Sequence, residues 1–530
     1  MDSSVDHSHD PAIKKPRFDN AEISLLIDHT VHANDLINLI FVNQRQNTSS
    51  NSRKYEYHYS KPTYTHQLFN EEKIDFLTEK TQKAFHELYR STATENAESD
   101  IAPALLIYIN CADLTHYSTT RLVDVLIDRE TLLAKIEPAI PVSSLSISFA
   151  ESILDSSREC ASLNQIAAMT PPGKLLPASH SSAVAIESAL LPSTPSRSSF
   201  EMYLASAADH GASELLSRAE KVAMWYIETA DSVDFSDERW EVLNLYCTRS
   251  ESIDGKEMPA IHLFAGYMTL FTFCNPFLGS KIRVCQALVL PHMQGKGLGR
   301  KMLLAVYELA KSRSCITEVT VEDPAPAFER LRDAVDCEWV MLNLYEQLRQ
   351  KKLVLEGSSE PTIIEIGLKR IDVMSLQAKI SESFLTGSAD VKERSKQLKL
   401  TPAQTSFAYE ALQYSVLIIP LIDTENSSAR ELASSAPALV PASILLADSS
   451  GVARGSEISK AVLAALSLTP EYKTFRLAVK RRLLSSNKYL KEQSSSVMQL
   501  ELEKLFKEQV IRYSHCLPSI RRISLPQAPA

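Results

Sequence analysis

The chain has 530 residues, a hydrophobic content of 44% and a net charge of −9 at pH 7, enough apolar material for roughly two to four packed domains. The acidic balance argues against a nucleic-acid binder driven by phosphate contacts and is compatible with a basic protein partner. Its eight cysteines hold no C-x-x-C pair, its N-terminus lacks a signal-type apolar core and no run reaches the about 18 apolar residues that span a bilayer, so a soluble protein of a reducing compartment, without metal site or membrane contact, is expected.

In chain order, residues 1–54 are polar and expected to be disordered, with the basic run "KKPRF" at 14–18 a weak candidate for nuclear import. Residues 55–165 carry mixed strand and helix signals, including the strand-like "ALLIYIN". The Ser/Pro/Ala-rich stretch 166–199 reads as a flexible insertion. From 200 to about 348 strand and helix patterns alternate. A charged connector around 349–362 leads into a mainly helical region, 349–530, with a second low-complexity insertion at about 418–470. The closing segments "YKTFRLAVKRRLLSS" and "SVMQLELEKLFKEQVIRY" have amphipathic helical spacing. The fold class is therefore mixed α/β.

The sequence "QALVLPHMQGKGLGRKML" at 286–303 places three glycines in five residues, although the chain has only 13. That total is about a third of ordinary usage, so the cluster is not a product of composition. It lies between a buried-strand pattern, "KIRVCQALVL", and helical spacing at Leu303, Val306, Tyr307 and Ala310. Glycines admit close approach of a ligand to the backbone, and a helix N-terminus offers unpaired N–H groups, so the arrangement suits a phosphate group. The Walker pattern fails because positions 300 and 302 are Arg and Met, and the dinucleotide fingerprint fails because Gly299 comes one residue early.

What remains, Gln294-Gly295-Lys296-Gly297-Leu298-Gly299, resembles the pyrophosphate loop of the GNAT acetyltransferases, which bind acetyl-CoA. Together with "MWYIETADSVDFSDERW" (224–240), "AGYMTLFTF" (265–273), "RVCQALVLPHMQGKGLG" (283–299) and "ITEVTVEDPAPAFERLRD" (316–333), it resembles the type B histone acetyltransferases in order and spacing. Weaker matches at "YTHQLFNEE" (64–72), "PALLIYINCADLTHYSTTRLVDV" (103–125) and "EYKTFRLAVKRRLL" (471–484) extend it. The resemblance implies a GNAT catalytic domain over 200–348, an N-terminal α/β domain that binds the histone tail and a C-terminal helical domain.

The same resemblance implies a set of site residues. Acyl transfer to lysine needs a neutral amine, and removing its proton at pH 7 costs about 4.6 kcal/mol, so a general base is useful. Alternation on "ITEVTV" puts Glu318, Thr320 and Glu322 on one face and Asp323 on the other, with Pro324 ending the strand. Glu322 matches the family's base, with Asp323 and Glu228 as neighbouring acids, and crowded carboxylates favour proton acceptance near neutral pH. Ala287, Leu288 and Val289 match the strand that splays from its neighbour to hold the pantetheine and thioester carbonyl, and Gln294 to Arg300 match the pyrophosphate loop. Lys296 and Arg300 would add charge. Cys285 has no activating His nearby in sequence and is set aside as a nucleophile.

Glu71 and Glu72, with Phe271, Thr272 and Phe273, match positions that contact the tail, although the acidic run stops at Lys73. The expected activity is acetylation of tail lysines on newly made free histone H-four, in nucleus and cytoplasm, with acetyl-CoA as co-substrate, no metal and a WD40 histone-binding propeller as partner. A GNAT enzyme for another protein or amine is the first alternative. A histone escort that binds acetyl-CoA without turnover is the second.

Overall fold

The computed structural model describes residues 30–45, 54–66, 68, 73–75, 104–114, 116–121, 134–139, 170–177, 197–228, 230–250, 252–253, 256–257, 260–356, 388–435 and 460–524. In chain order the main elements are β1 (Ile37–Arg45), β2 (Lys54–Ser60), β3 (Ala104–Asn110), β4 (His116–Arg121), β5 (Arg197–Ala205), α1 (Ala212–Ala223), β6 (Trp240–Ser250), β7 (Ile261–Phe273) and β8 (Ser280–Val289). Then come α2 (Leu298–Ser312), β9 (Ile316–Val321), α3 (Pro326–Glu356), α4 (Ser388–Leu398), α5 (Pro402–Ser435), α6 (Lys460–Leu468), α7 (Pro470–Ser486) and α8 (Ser495–Ser524). The class is mixed α/β, with strands toward the N-terminus and helices toward the C-terminus, as expected. Two compact units divide the chain: Met1–Ala178 with Val184–Leu270 and Gln286–Leu298, and Ser179–Ala183 with Phe271–Cys285 and Gly299–Ala530.

In the first unit, β1 is a central strand, antiparallel to β2 and parallel to β3, and β4 completes a four-stranded sheet. Ile37, Leu39, Ile40, Phe41 and Val42 are all buried, an apolar run interrupted by Asn38 alone, as in a strand covered on both faces. The expectation of a disordered 1–54 is corrected here: "LINLIFV" is a short apolar run inside a polar stretch, and averaging over the stretch hides it. Strands β5 and β6 pair antiparallel along their length. The flexible insertion expected at 166–199 is corrected in part, because Lys174 and Leu175 pair with Leu204 and Tyr203 at the outer edge of β5. Gly173, at φ +94°, makes that contact feasible, since a Cβ there would collide with the Leu204 carbonyl.

In the second unit, the first half of β8 pairs parallel with β9, and the helices pack on one another. α3 runs on to Glu356, so the expected boundary at 348 falls inside a helix: "EQLRQKKLVLE" consists mostly of good helix formers. The low-complexity insertion expected at 418–470 is likewise helical at both ends, in α5 and α6, while 436–459 lie outside the described residues.

Within α5, Pro402–Thr424 is long and apolar enough by composition to cross a membrane, which corrects the expectation that no stretch qualifies. Its context here is a helical core. Phe407, Ala408, Leu412, Tyr414 and Ile418 are buried, and Glu410 takes a two-pronged pair from Arg482, at 2.6 and 2.8 Å, and a hydrogen bond from Tyr513. α7 begins as its sequence suggests, with Thr469 accepting from the Tyr472 N–H and Pro470 in the first turn.

Candidate functional site

Strand β8 carries most of the site. Its parallel ladder with β9 runs from Ser280–Ile316 to Val284–Val321, and β8 continues five residues further, through Ala287, Leu288 and Val289. Leu288 is buried, while Ala287 and Val289 are half-buried. After a single 3-10 turn at Pro291–Met293 comes the glycine loop, and the Gln294 side chain reaches back to donate to the Val289 carbonyl at 2.8 Å. Gly295 and Gly297 adopt φ +75° and +72°, and a Cβ on either would meet no protein atom within 4 Å. The backbone conformation, with open space above it, suits a ligand that approaches the main chain, and the first N–H groups of α2 have no intrahelical acceptor. Lys296 is exposed and reaches the Met293 sulfur at 3.5 Å. Arg300 is committed elsewhere: both arms of its guanidinium donate to the buried Glu338 carboxylate on α3.

The acids at the end of β9 belong to the second unit. Glu322 donates its backbone N–H to the Val284 carbonyl at 2.9 Å, and its carboxylate lies 3.4 Å from Arg283. The Cys285 thiol donates to the Arg283 carbonyl at 3.7 Å. Burial first, then the neighbouring Glu322 carboxylate, push the thiol up to about 12, so Cys285 is not an activated nucleophile. Asp323 holds φ +30° immediately before Pro324, a conformation that a non-glycine residue rarely adopts and that proline disfavours further. Such strain next to a candidate base is typical of functional positions. At the end of β7, Phe271 and Thr272 are half-buried and Phe273 is 38% exposed. The two rings meet edge-on at 4.7 Å, and Arg283 lies 4.4 Å over Phe273.

The first unit holds Glu228, exposed, with its carboxylate 4.0 Å from His66 Nε2. The segments carrying these two residues are tied together, because the Trp225 carbonyl accepts from the N–H groups of Thr63 and Tyr64 at 2.7 and 3.1 Å. Glu71 and Glu72 lie outside the described residues.

Four residues escaped the sequence reading. Arg283 and His66 carried no signal of their own. Gln286, buried on β8, accepts from Tyr267 at 2.8 Å and donates to the Asp231 carbonyl, while its N–H donates to Thr269 Oγ1 at 2.9 Å. Gly266 on β7 lets the backbones close up, since a Cβ there would run into the Leu288 carbonyl oxygen; a glycine inside an otherwise buried strand was the available clue.

No protein-family model matches the chain. Among curated proteins, it is 29% identical to the human histone acetyltransferase type B catalytic subunit over 180 residues, 34% of this chain and 41% of that protein. It is 34% identical to the protein of the same name from Mycosarcoma maydis over 160 residues, 30% of this chain and 34% of that one. The Dictyostelium discoideum counterpart is 26% identical over 175 residues, 29% and 35% of the two chains. The chain thus matches about two fifths or less of the length of these relatives, and across that stretch the resemblance read from its motifs is borne out. A solved integron cassette protein from the mobile metagenome of V. cholerae overlaps at 14% identity and a TM-score of 0.17, covering 33% of this chain and 92% of that one, a likeness that carries no argument.

Proposed function

We propose that this chain, similar over about a third of its length to the type B histone acetyltransferase catalytic subunits, transfers acetyl groups from acetyl-CoA to tail lysines of newly made histone H-four. The observation that carries the reading is the glycine loop after β8, where Gly295 and Gly297 hold left-handed backbone with open space above them, directly before the N-terminus of α2. A main-chain cradle of this kind suits the pyrophosphate of an acyl carrier, and Glu322 at the end of β9 is a carboxylate able to accept the proton of an amine.

The residues fit acetyl-CoA. The open, left-handed Gly295 and Gly297 and the N-terminus of α2 would hold its pyrophosphate through main-chain N–H groups. With Arg300 neutralised by Glu338, main-chain donors carry most of this binding. The main chain of Ala287 to Val289 would hold the pantetheine and the thioester carbonyl. When bound, acetyl-CoA supplies the acyl group. Glu322 takes the proton from the lysine amine, Asp323 beside it adds a second acid, and Glu228 has the charge to attract a basic tail. Phe271, Thr272 and Phe273, with Glu71 and Glu72, form the tail contacts. The WD40 propeller partner and the presence in nucleus and cytoplasm belong to the proposal on the strength of the resemblance.

The test is mass spectrometry of histone-tail peptides, an unrelated basic peptide and a polyamine, each incubated with the full chain and acetyl-CoA. Acetyl-lysine on the histone H-four tail is expected, and Glu322→Gln should lower kcat by about 10²- to 10⁴-fold with acetyl-CoA affinity retained in calorimetry. Transfer to the polyamine or the unrelated peptide alone would reassign the substrate. Binding of acetyl-CoA without any transfer would favour the escort.

A further inference from the structure

We infer that Arg283 is a positioning residue for Glu322, holding the base in one orientation; the inference rests on the acetyl transfer proposed above. Strand alternation puts Lys281, Arg283 and Cys285 on one face of β8 and Glu318, Thr320 and Glu322 on one face of β9. The register sets Arg283 opposite Thr320 and Val284 opposite Val321, so Glu322 comes level with Cys285. Two charged rungs result: Lys281 with Glu318 at 2.6 Å, and Arg283 with Glu322 at 3.4 Å.

The second rung differs from the first in what holds its cation. The Arg283 guanidinium lies 4.4 Å over the Phe273 ring, which is itself set edge-on against Phe271. Glu322 is likewise held on β8, by its N–H to the Val284 carbonyl. Arg283 and Val284, two consecutive residues, thus supply the contacts that define where the carboxylate points. The charged and titratable groups around it are Arg283 and Cys285 across the rung, the Lys281–Glu318 pair on the next rung and Asp323 beside it in sequence.

A carboxylate at an exposed strand end samples several rotamers. A cation fixed by an aromatic platform favours a single orientation. The pair is 38% and 47% exposed, a setting in which ion pairs add little to folding, so removing it should leave the fold in place. The pair therefore matters for the chemistry of Glu322 rather than for the stability of the sheet.

The experiment compares the parent, Arg283→Gln and Arg283→Lys as full chains, measuring kcat, KM for a histone-tail peptide, acetyl-CoA affinity and Tm. Arg283→Gln should lose about tenfold in kcat, with KM and acetyl-CoA affinity within about twofold of the parent and Tm unchanged. Arg283→Lys, which keeps a cation opposite the carboxylate, should recover most of kcat. A parental kcat in Arg283→Gln, a KM that moves as far as kcat, or no recovery in Arg283→Lys overturns the inference. If Arg283→Gln fails to fold, Arg283→Lys decides alone: a kcat within about threefold of the parent at parental KM upholds the inference, and a loss of about tenfold overturns it. A parent that transfers no acetyl group overturns the proposed function and this inference together, whereas a transferring parent isolates the outcome to Arg283.

Discussion

His292 sits in the turn just before the glycine loop, its ring stacked on His58 at 4.5 Å and tilted against Phe41 at 5.2 Å. Both ring nitrogens are buried without a hydrogen-bond partner among the described residues. Burial first, then the positive surroundings of His58, Lys296 and Arg249, hold its ionisation down at about 3. The unfolded chain protonates a histidine near 6.5, so between those values the unfolded state binds a proton that the folded state refuses. Stability from this residue is fully present above about pH 6.5 and is lost as the pH falls toward 3. At pH 5 the loss should be about 2 kcal/mol relative to pH 7. His292→Phe keeps the stacking surface and removes the proton site, so its urea midpoint should fall less between pH 7 and pH 5 than the parent's. Equal falls in parent and variant would remove His292 from the acid sensitivity of the fold.

At the scale of the element, β7 and β8 owe their close approach to one missing side chain. Gly266 faces the Leu288 carbonyl and the Val289 Cα, in the stretch proposed to hold the thioester, so any Cβ there must push one strand away. Gly266→Ala should cost about 1–3 kcal/mol, as overpacking does, and should weaken acetyl-CoA binding by displacing the main chain of Leu288 and Val289. Urea unfolding and calorimetry on the same preparation check both effects. Parental affinity in a destabilised variant would detach this stretch from the cofactor. The contrast with α2 is instructive. Sequence offered Arg300 as a charge for the pyrophosphate, yet a helix starting at Leu298 and packing against α3 brings that side chain onto buried Glu338. A carboxylate left alone in that position would be costly, and its arginine partner is the nearest remedy.

At the scale of the whole molecule, a net charge of −9 favours a basic partner over a nucleic acid and suits the histone tail proposed above. Attraction of this kind acts alike on bound substrate and transition state, so it belongs in KM rather than kcat. Raising salt from about 0.05 to about 0.5 M shortens the screening length several-fold, and KM for the tail peptide should rise while kcat stays level. A KM indifferent to salt would mean that the tail is held by apolar and main-chain contacts instead, with Phe271 and Phe273 the first residues to replace.

The sequence by itself determined what depends on neighbours along the chain. A glycine loop between a buried strand and a helix, an alternating strand that places Glu322 at its end, and the order of strands before helices are all local patterns, and all reappear in the structure. The apolar run of β1 was legible too, but only in a window shorter than the polar stretch around it. Tertiary structure alone decided who meets whom. Arg283 reaches Glu322 through a parallel register between strands separated by a whole helix, Glu338 claims Arg300 across two helices, and His66 comes to Glu228 from a segment more than 150 residues earlier in the chain. Periodicity tells which face a side chain occupies; only the packing of distant segments selects its partner, because contact energies between them depend on a register and a rotamer that no local pattern encodes.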